Sequence, residues 1–163
     1  MTLPAPRQPQ PPYRIAVVCL GNICRSPMAQ VILSAKLAKA ELDAAVTARS
    51  AGTGTWHVDE AMDRRAAAIL AAHGYDPTQH RASHFDASWL PESDLILVMD
   101  RANLRDVLAA VESDDDRDRV MMFRAFDPRS DDNGDGEVPD PWYGDDSTFE
   151  EVARVSTSIS AVC

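Results

Sequence analysis

The chain contains 163 residues, of which 45% are hydrophobic and 26% are charged, and these proportions are typical of one ordinary globular domain. Its 26 acidic and 16 basic residues give a formal net charge of −10, which disfavours non-specific binding to nucleic acid. No apolar run approaches the length that a membrane span needs, so we expect neither nucleic acid nor a membrane as partner. Three cysteines, two of them close together, favour a reducing compartment over a disulfide framework.

The first twelve residues contain five prolines, which predicts a disordered, solvated leader over residues 1–12 and a single domain over residues 13–163. The leader lacks a basic start followed by an apolar stretch, so it does not resemble a secretory signal. We therefore expect a cytoplasmic protein, and export without a signal peptide stays open as an alternative.

Short apolar runs alternate with helical patterns along the rest of the chain, which predicts a three-layer α/β/α fold with a four-stranded parallel twisted sheet. Ser26 is predicted to cap the first helix, Gly74 to end the second and Asp100 to cap the third. Residues 124–146 lack periodicity, as a functional loop would. Strands are predicted at 15–18, 46–50, 95–99 and 120–123, and helices at 26–38, 62–73, 101–111 and 149–159.

The loop between the first strand and the first helix, residues 19–26, has the composition of an oxyanion site. Its backbone amides can form a nest, and the helix N-terminus adds partial positive charge. Gly21 accepts a positive φ, and Arg25 presents a planar fork to two phosphate oxygens. Cys19 lies at the base of the loop, where the same field favours its thiolate and an attack on bound phosphorus. A buried cysteine near a surface arginine is the weaker alternative.

The run from Val18 to Ala29, VCLGNICRSPMA, resembles the signature of the low-molecular-weight protein tyrosine phosphatases, in the form found in actinobacteria. The resemblance extends over residues 14–155. Further landmarks occur in the family's order: SAGT at 50–53 with Trp56, HGY at 73–75, Met99-Asp100 with Asn103, and DPWYG at 140–144.

The resemblance implies a role for each motif residue. Cys19 would be the nucleophile, Arg25 the clamp on phosphate and transition state, and Asp140 the general acid and then the general base. The phosphate-binding loop would comprise Leu20, Gly21, Asn22, Ile23, Cys24 and Arg25. Hydrogen bonds among Asn22, Ser26, Ser50 and His73 would hold the loop, with the Ser26 hydroxyl donating to the Cys19 sulfur. Trp56, Trp142 and Tyr143 would wall the substrate cleft.

The implied activity is hydrolysis of phosphotyrosine in proteins or peptides, and of other aryl phosphomonoesters, through a phosphocysteine intermediate. We expect a monomer that needs no metal and no other cofactor. Related activities of the same fold stay open as alternatives. An arginine phosphatase of this family usually has threonine where Ile23 stands, an arsenate reductase needs further relay cysteines, and a phosphocysteine carrier needs neither Arg25 nor Asp140.

Asp140 is supported by its neighbours as well as by the resemblance. It is followed by proline and two aromatic residues on a long loop, and apolar rings favour the protonated carboxyl that a leaving phenolate needs. Asp127, also followed by proline, is the rival on sequence alone. An apparent calcium-loop pattern begins at Asp131, but its twelfth position is Trp142, which cannot supply the closing carboxylate.

Further features of the sequence qualify the expectation. Cys24 is expected either to form a reversible protective disulfide with Cys19, as the resemblance implies, or simply to pack the loop. Gln30 replaces the family's usual acidic residue, and Trp142 its usual first tyrosine. The final helix is expected to be shortened, which leaves a catalytically impaired phosphate-binding module as an alternative. His57, His80 and His84 are expected to be surface residues.

Overall fold

The computed structural model describes residues 3–127, 137–138 and 146–163. No helix in these ranges is both long enough and apolar enough to cross a membrane. The strands are β1 (Tyr13–Cys19), β2 (Val46–Gly52), β3 (Leu95–Val98) and β4 (Val120–Met122). The helices are α1 (Arg25–Lys39), α2 (Arg64–Ala72), α3 (Arg101–Leu108), α4 (Asp114–Asp118) and α5 (Asp146–Val162), with short 3₁₀ helices at Ala87–Trp89 and Phe123–Phe126.

The four strands form one parallel sheet in the order β2-β1-β3-β4. After β2 the chain returns past β1 to build the other half of the sheet, so the strand order reverses between β1 and β3. Ligands of open parallel sheets bind at the carboxyl ends of the strands beside such a reversal. The predicted three-layer α/β/α fold is confirmed, and its topology locates a binding crevice after β1 and β3.

Both faces of the sheet are buried, which explains the unbroken apolar runs of β1 and β3. Along β1, Ile15 and Val17 belong to the core under α1, α2 and α5, whereas Ala16 and Val18 belong to the core under α3. All four residues are at most 1% exposed. Because successive side chains of a strand point to opposite faces of the sheet, one short run of sequence contributes residues to both cores.

Two of the three predicted helix boundaries are confirmed. The Asp100 carboxylate accepts a hydrogen bond of 2.8 Å from the Asn103 amide at the start of α3, and Gly74 follows α2 with φ 87°. The prediction that Ser26 caps α1 is wrong, because α1 already begins at Arg25 and Cys24 is the capping residue, without a side-chain bond. The Ser26 hydroxyl is used instead inside the phosphate loop.

The N-terminal segment, residues 3–12, lies against the amino ends of the strands, although its composition predicts a solvated leader. The Arg7 amide donates to the Asp94 carboxylate at 2.7 Å, and the Arg7 guanidinium donates to the Ser93 carbonyl and pairs with Asp115 and Asp116. Arg7, the single arginine among these prolines, therefore binds a cluster of three aspartates. The composition of the segment does not predict this contact, because the aspartates lie far away in the sequence.

Candidate active site

The loop of residues 19–25 follows β1 and lies in the crevice that the topology predicts. It contacts Asp100, which comes shortly after β3. Its path depends on Gly52, which pairs with Cys19 in the β1–β2 register. A Cβ added at Gly52 would lie 2.6 Å from the Leu20 carbonyl oxygen and 3.0 Å from the Asn22 nitrogen. Only glycine lets the loop pack directly on β2. The Thr53 and Gly54 amides then donate to the carbonyls of Cys19 and Leu20 at 3.0 and 2.9 Å.

Asn22 organises the loop from within. Its backbone adopts the left-handed conformation with φ 57°, which asparagine tolerates better than most residues, and the residue is 0% exposed. Its side-chain oxygen accepts from the Ser83 amide at 2.8 Å, which fixes the orientation of the amide group. The Nδ2 group must therefore be the donor to Ser26 Oγ at 2.7 Å and to Ser50 Oγ at 2.9 Å.

These two bonds determine where the serine protons go. Ser26 Oγ accepts from Asn22, so its own proton is free to donate to Cys19 Sγ, 3.0 Å away; the Ala51 carbonyl is the more distant acceptor at 3.4 Å. The backbone amide of Asn22 also donates to Cys19 Sγ, at 3.3 Å. Two donors thus converge on the sulfur of Cys19, a residue that is 3% exposed.

Ser50 continues the network away from the sulfur. Its hydroxyl accepts from Asn22 and donates to Gln30 Oε1 on α1. A glutamine at this position therefore completes a hydrogen-bond chain from α1 to the nucleophile. The substitution of the usual acidic residue by Gln30 leaves the loop supported through Ser50.

A different histidine from the expected one supports the loop. His80 is buried, and its Nε2 donates to the Asn22 carbonyl at 2.7 Å. Burial lowers the pKa of His80, although the bond to this carbonyl opposes the shift, and so the ring is neutral. His73 instead ends α2 with its ring stacked on Phe149 at a centroid distance of 3.9 Å, and in the described part of the chain no hydrogen bond joins it to the loop. The expectation that His80 is a surface residue is also wrong.

Arg25 is 4% exposed and is held by two acceptors on one nitrogen. Nη1 donates to Asp100 Oδ2 at 2.7 Å and to the Val138 carbonyl at 3.2 Å. The two protons of Nη1 are therefore engaged, whereas Nε and Nη2 have no acceptor among the described residues and can donate to an oxyanion. Asp100 both caps α3 through Oδ1 and orients Arg25 through Oδ2.

A pocket of about 110 Å³ opens over this loop. Trp56 stands at its mouth, 70% exposed, as the resemblance implies for a wall of the cleft. Leu20 is 42% exposed beside the same opening. His57 also lines the pocket and pairs with Glu60 at 2.7 Å, a contribution that the sequence reasoning missed. The residues that line the pocket are Cys19, Leu20, Gly21, Ile23, Cys24, Arg25, Trp56 and His57.

No disulfide joins Cys19 to Cys24, and Cys24 is half-buried at the pocket. Within residues 3–127, 137–138 and 146–163, no cluster of three or more histidine, cysteine or acidic side chains is arranged to hold a metal ion. Arg25 and the backbone amides of the loop offer positive charge at this pocket.

Asp140, Trp142 and Tyr143 lie outside the described residues, and so does the apparent calcium-loop pattern that begins at Asp131. The rival acid, Asp127, is within them. Its carboxylate accepts from Arg154 Nε and Nη2 at 3.0 and 2.9 Å and also pairs with Arg124. Its carboxylate is thus buried and bonded to two guanidinium groups, away from the pocket lining, so Asp127 is the weaker candidate for the proton donor.

Comparison with known proteins identifies the family. Residues 14–160 match the sequence model of the low molecular weight phosphotyrosine protein phosphatases. The low molecular weight protein-tyrosine-phosphatase of Streptomyces coelicolor is 43% identical over 91% of this chain and 89% of its own, and protein-tyrosine phosphatase A of Mycobacterium tuberculosis is 46% identical over 90% and 86%.

A solved structure agrees with these relatives. The low molecular weight phosphotyrosine phosphatase of Vibrio cholerae is 32% identical, with a TM-score of 0.74 over 92% of this chain and 93% of that one. Sequence, fold and a cysteine at the base of an oxyanion loop lead to one conclusion: the chain belongs to the low-molecular-weight protein tyrosine phosphatase family.

Proposed function

We propose that this chain hydrolyses phosphotyrosine in proteins and peptides, and related aryl phosphomonoesters, through a phosphocysteine on Cys19. The observation that carries the proposal is the pair of hydrogen bonds from Ser26 and from the Asn22 amide to the Cys19 sulfur, at the base of the pocket. The thiolate is the nucleophilic form of cysteine, and the two bonds hold its sulfur at the base of the pocket. The exposed Trp56 at the mouth of the pocket offers an aromatic surface to the substrate ring.

In the first step, the Cys19 thiolate attacks phosphorus, an S–P bond forms and the bond between phosphorus and the aryl oxygen breaks. Asp140 gives its proton to the departing oxygen, so the leaving group is a neutral phenol. The loop amides and the free Nε and Nη2 protons of Arg25 balance the charge on the three equatorial oxygens, which a metal would do elsewhere. The proposal needs no cofactor.

In the second step, water attacks the phosphocysteine. Asp140, now ionised, takes a proton from that water, the S–P bond breaks and its electron pair returns to Cys19 as the thiolate. Ser26 and Asn22 stabilise the sulfur as it leaves, just as they do before attack. Inorganic phosphate departs and the enzyme is restored.

The same pocket supports a redox role for Cys24. We propose that mild oxidation joins Cys19 to Cys24 and protects the nucleophile from irreversible oxidation. Peroxide followed by mass spectrometry of the Cys19 peptide tests this role, with Cys24→Ser as the matched variant. An unlinked Cys19 in the wild type after oxidation contradicts it.

The test of the function is turnover of phosphotyrosine peptides and of p-nitrophenyl phosphate, with and without a chelator. Cys19→Ser should abolish turnover but retain phosphate binding, because the loop amides and Arg25 remain. In Asp140→Asn, rapid quenching with p-nitrophenyl phosphate should capture phosphate on the Cys19 peptide, since the second step lacks its base.

Two outcomes contradict the proposal. If phosphate binds but no aryl phosphate is hydrolysed, the chain is a phosphate-binding module. If turnover disappears with the chelator and returns with a divalent ion, the charge stabilisation assigned to Arg25 and the loop amides is wrong.

A further inference from the structure

His57 lines the pocket beside the phosphate loop. The edge of its ring that carries Cδ2 and Nε2 packs over Gly21, where an added Cβ would lie 3.1 Å from Cδ2 and 3.8 Å from Nε2. The side chain is also 36% exposed, so the ring contacts both the loop and the solvent. A polar ring edge therefore lies at the rim of the pocket.

The Glu60 side chain determines which nitrogen of this ring carries the proton. His57 Nδ1 lies 2.7 Å from Glu60 Oε2, and an ionised carboxylate can only accept a hydrogen bond. Nδ1 is therefore the donor in this pair, and in the neutral ring Nε2 has no proton. Among the residues that the structure describes, Nε2 has no hydrogen-bond partner. An acceptor nitrogen is thus available at the rim of the pocket.

The turn that carries both side chains is held by its backbone. The Glu60 amide donates to the His57 carbonyl at 2.8 Å, and the Glu60 carbonyl accepts from the Ala82 amide at 2.9 Å. The Asp59 amide donates to the Ala82 carbonyl at 2.8 Å. None of these bonds uses the side chain of His57 or Glu60, so substitutions of these side chains should leave the turn in place.

The substrate class determines what this nitrogen can bind. A neutral ring beside an ionised carboxylate gives this part of the rim a negative charge, which favours a donor over an acceptor. A phosphotyrosine in a peptide offers two backbone N–H donors next to its Cα, its own and that of the following residue. A simple aryl phosphate has neither of them.

We propose that His57 Nε2 accepts a hydrogen bond from one of these two backbone N–H groups and so recognises the peptide chain of the substrate. The inference rests on the proposed function and makes a phosphotyrosine peptide a better substrate than a small aryl phosphate. His57 takes no part in the chemical steps. Its contribution is to binding of the peptide, before and during the transfer of phosphate to Cys19.

Replacement of His57 should affect peptides alone. His57→Phe keeps a ring over Gly21 but removes the acceptor. At pH 8, above the range in which histidine ordinarily titrates, kcat/KM on a phosphotyrosine peptide should fall about fivefold, the effect of one neutral hydrogen bond. Turnover of p-nitrophenyl phosphate should change less than about twofold, because this substrate has no N–H group. His57→Gln has an oxygen acceptor at the equivalent position of its side chain and should restore most of the loss.

Replacement of Glu60 tests the location of the proton. In Glu60→Ala, Nδ1 loses its acceptor, so the ring can carry its proton on Nε2, which then cannot accept a hydrogen bond. The peptide rate should fall, but less than in His57→Phe, and the double variant should lose no more than His57→Phe alone. Glu112→Ala, at an exposed acidic residue, controls for the change in net charge.

The decisive measurement changes the donor in the substrate. The parent peptide is compared with two methylated peptides, one on the phosphotyrosine nitrogen and the other on the nitrogen of the following residue. At least one of them should lose about fivefold in kcat/KM with the wild type and almost nothing with His57→Phe, which already lacks the bond. Equal losses with the two enzymes, or no loss with the wild type for either methylated peptide, overturn the inference.

Failure of this inference can be distinguished from failure of the proposed function. If the wild type hydrolyses both substrates and His57→Phe loses equally on p-nitrophenyl phosphate and on the peptide, His57 acts on the phosphate or the loop. The inference is then wrong, although the function stands. If the wild type hydrolyses neither substrate, the proposed function itself is wrong.

Discussion

Replacing Asn22 separates the two tasks of this residue, its left-handed backbone and its side-chain bonds. Asn22→Gly keeps the backbone but loses three hydrogen bonds, to Ser26, Ser50 and Ser83. At about 1 kcal/mol each, the free energy of unfolding should fall by about 3 kcal/mol. Asn22→Ala loses the same bonds and also places a Cβ at φ 57°, which costs about 1–2 kcal/mol more.

Greater freedom of glycine in the unfolded chain offsets part of that difference, so Asn22→Ala should be the less stable by about 1 kcal/mol. Glu41 supplies the control, because it has φ 60° on an exposed turn. Glu41→Ala against Glu41→Gly therefore measures the backbone contribution alone. Urea unfolding at constant m-value gives each free energy.

Activity should fall with stability in the Asn22 variants. Without the Nδ2 group, the Ser26 hydroxyl is no longer forced to donate to Cys19, and kcat should fall at least about tenfold on good and poor leaving groups alike. Asn22→Gly within 1 kcal/mol of wild type would refute the hydrogen-bond argument. Equal stability of the alanine and glycine variants, with Glu41 showing a difference, would refute the backbone argument.

Three further predictions follow from other parts of the molecule. Arg25→Lys should lower kcat at least about 10²-fold, because an ammonium has three protons and cannot both replace the two bonds to Asp100 and Val138 and offer phosphate a planar pair of donors; near-normal steady-state rates contradict this. Burial lowers the pKa of His80 from 6.5, so as the pH falls the unfolded chain takes up this proton before the folded chain does. The free energy of unfolding should therefore decline below pH 6.5. Unfolding curves measured at a series of pH values should show a smaller decline in His80→Gln. Residues 124–151 contain ten acidic and two basic side chains, so phosphotyrosine peptides with basic flanks should have higher kcat/KM at low salt, and a preference unaffected by salt would exclude an electrostatic origin.

The fold and the phosphate loop could be predicted from the sequence because their signals are local. The apolar runs of β1 and β3 are continuous, and the loop, its glycine and its arginine lie within eight residues of Cys19. Asp100 is likewise next to the strand and helix that define its role. Because these features depend only on residues that are close in the chain, a single sequence is enough to predict them.

The loop's supports depend on tertiary contacts and were predicted less well. His73 and His80 both follow α2 in the sequence, and only the path of the intervening chain brings His80 to the Asn22 carbonyl. The wrong prediction that Ser26 caps α1 has a similar cause. A serine before proline has the local pattern of a helix cap, and only the folded structure brings its hydroxyl to the Cys19 sulfur. Another bond, from the Arg101 amide to the Glu137 side chain, joins residues 36 positions apart and has no local signal.

The hydrogen bond from Arg7 to the Asp94 carboxylate makes the attachment of the N-terminal segment sensitive to acid. Burial alone would raise the pKa of Asp94, but hydrogen bonds from Arg7 and Arg14 outweigh it and lower the pKa below 3.8. The stability that this carboxylate contributes is therefore complete above 3.8 and is lost as the pH falls through the lowered value. The seven residues of β1 put roughly 20 Å between this edge and Cys19. Acid of this strength would thus weaken the bonds of the N-terminal segment at the end of the sheet opposite Cys19.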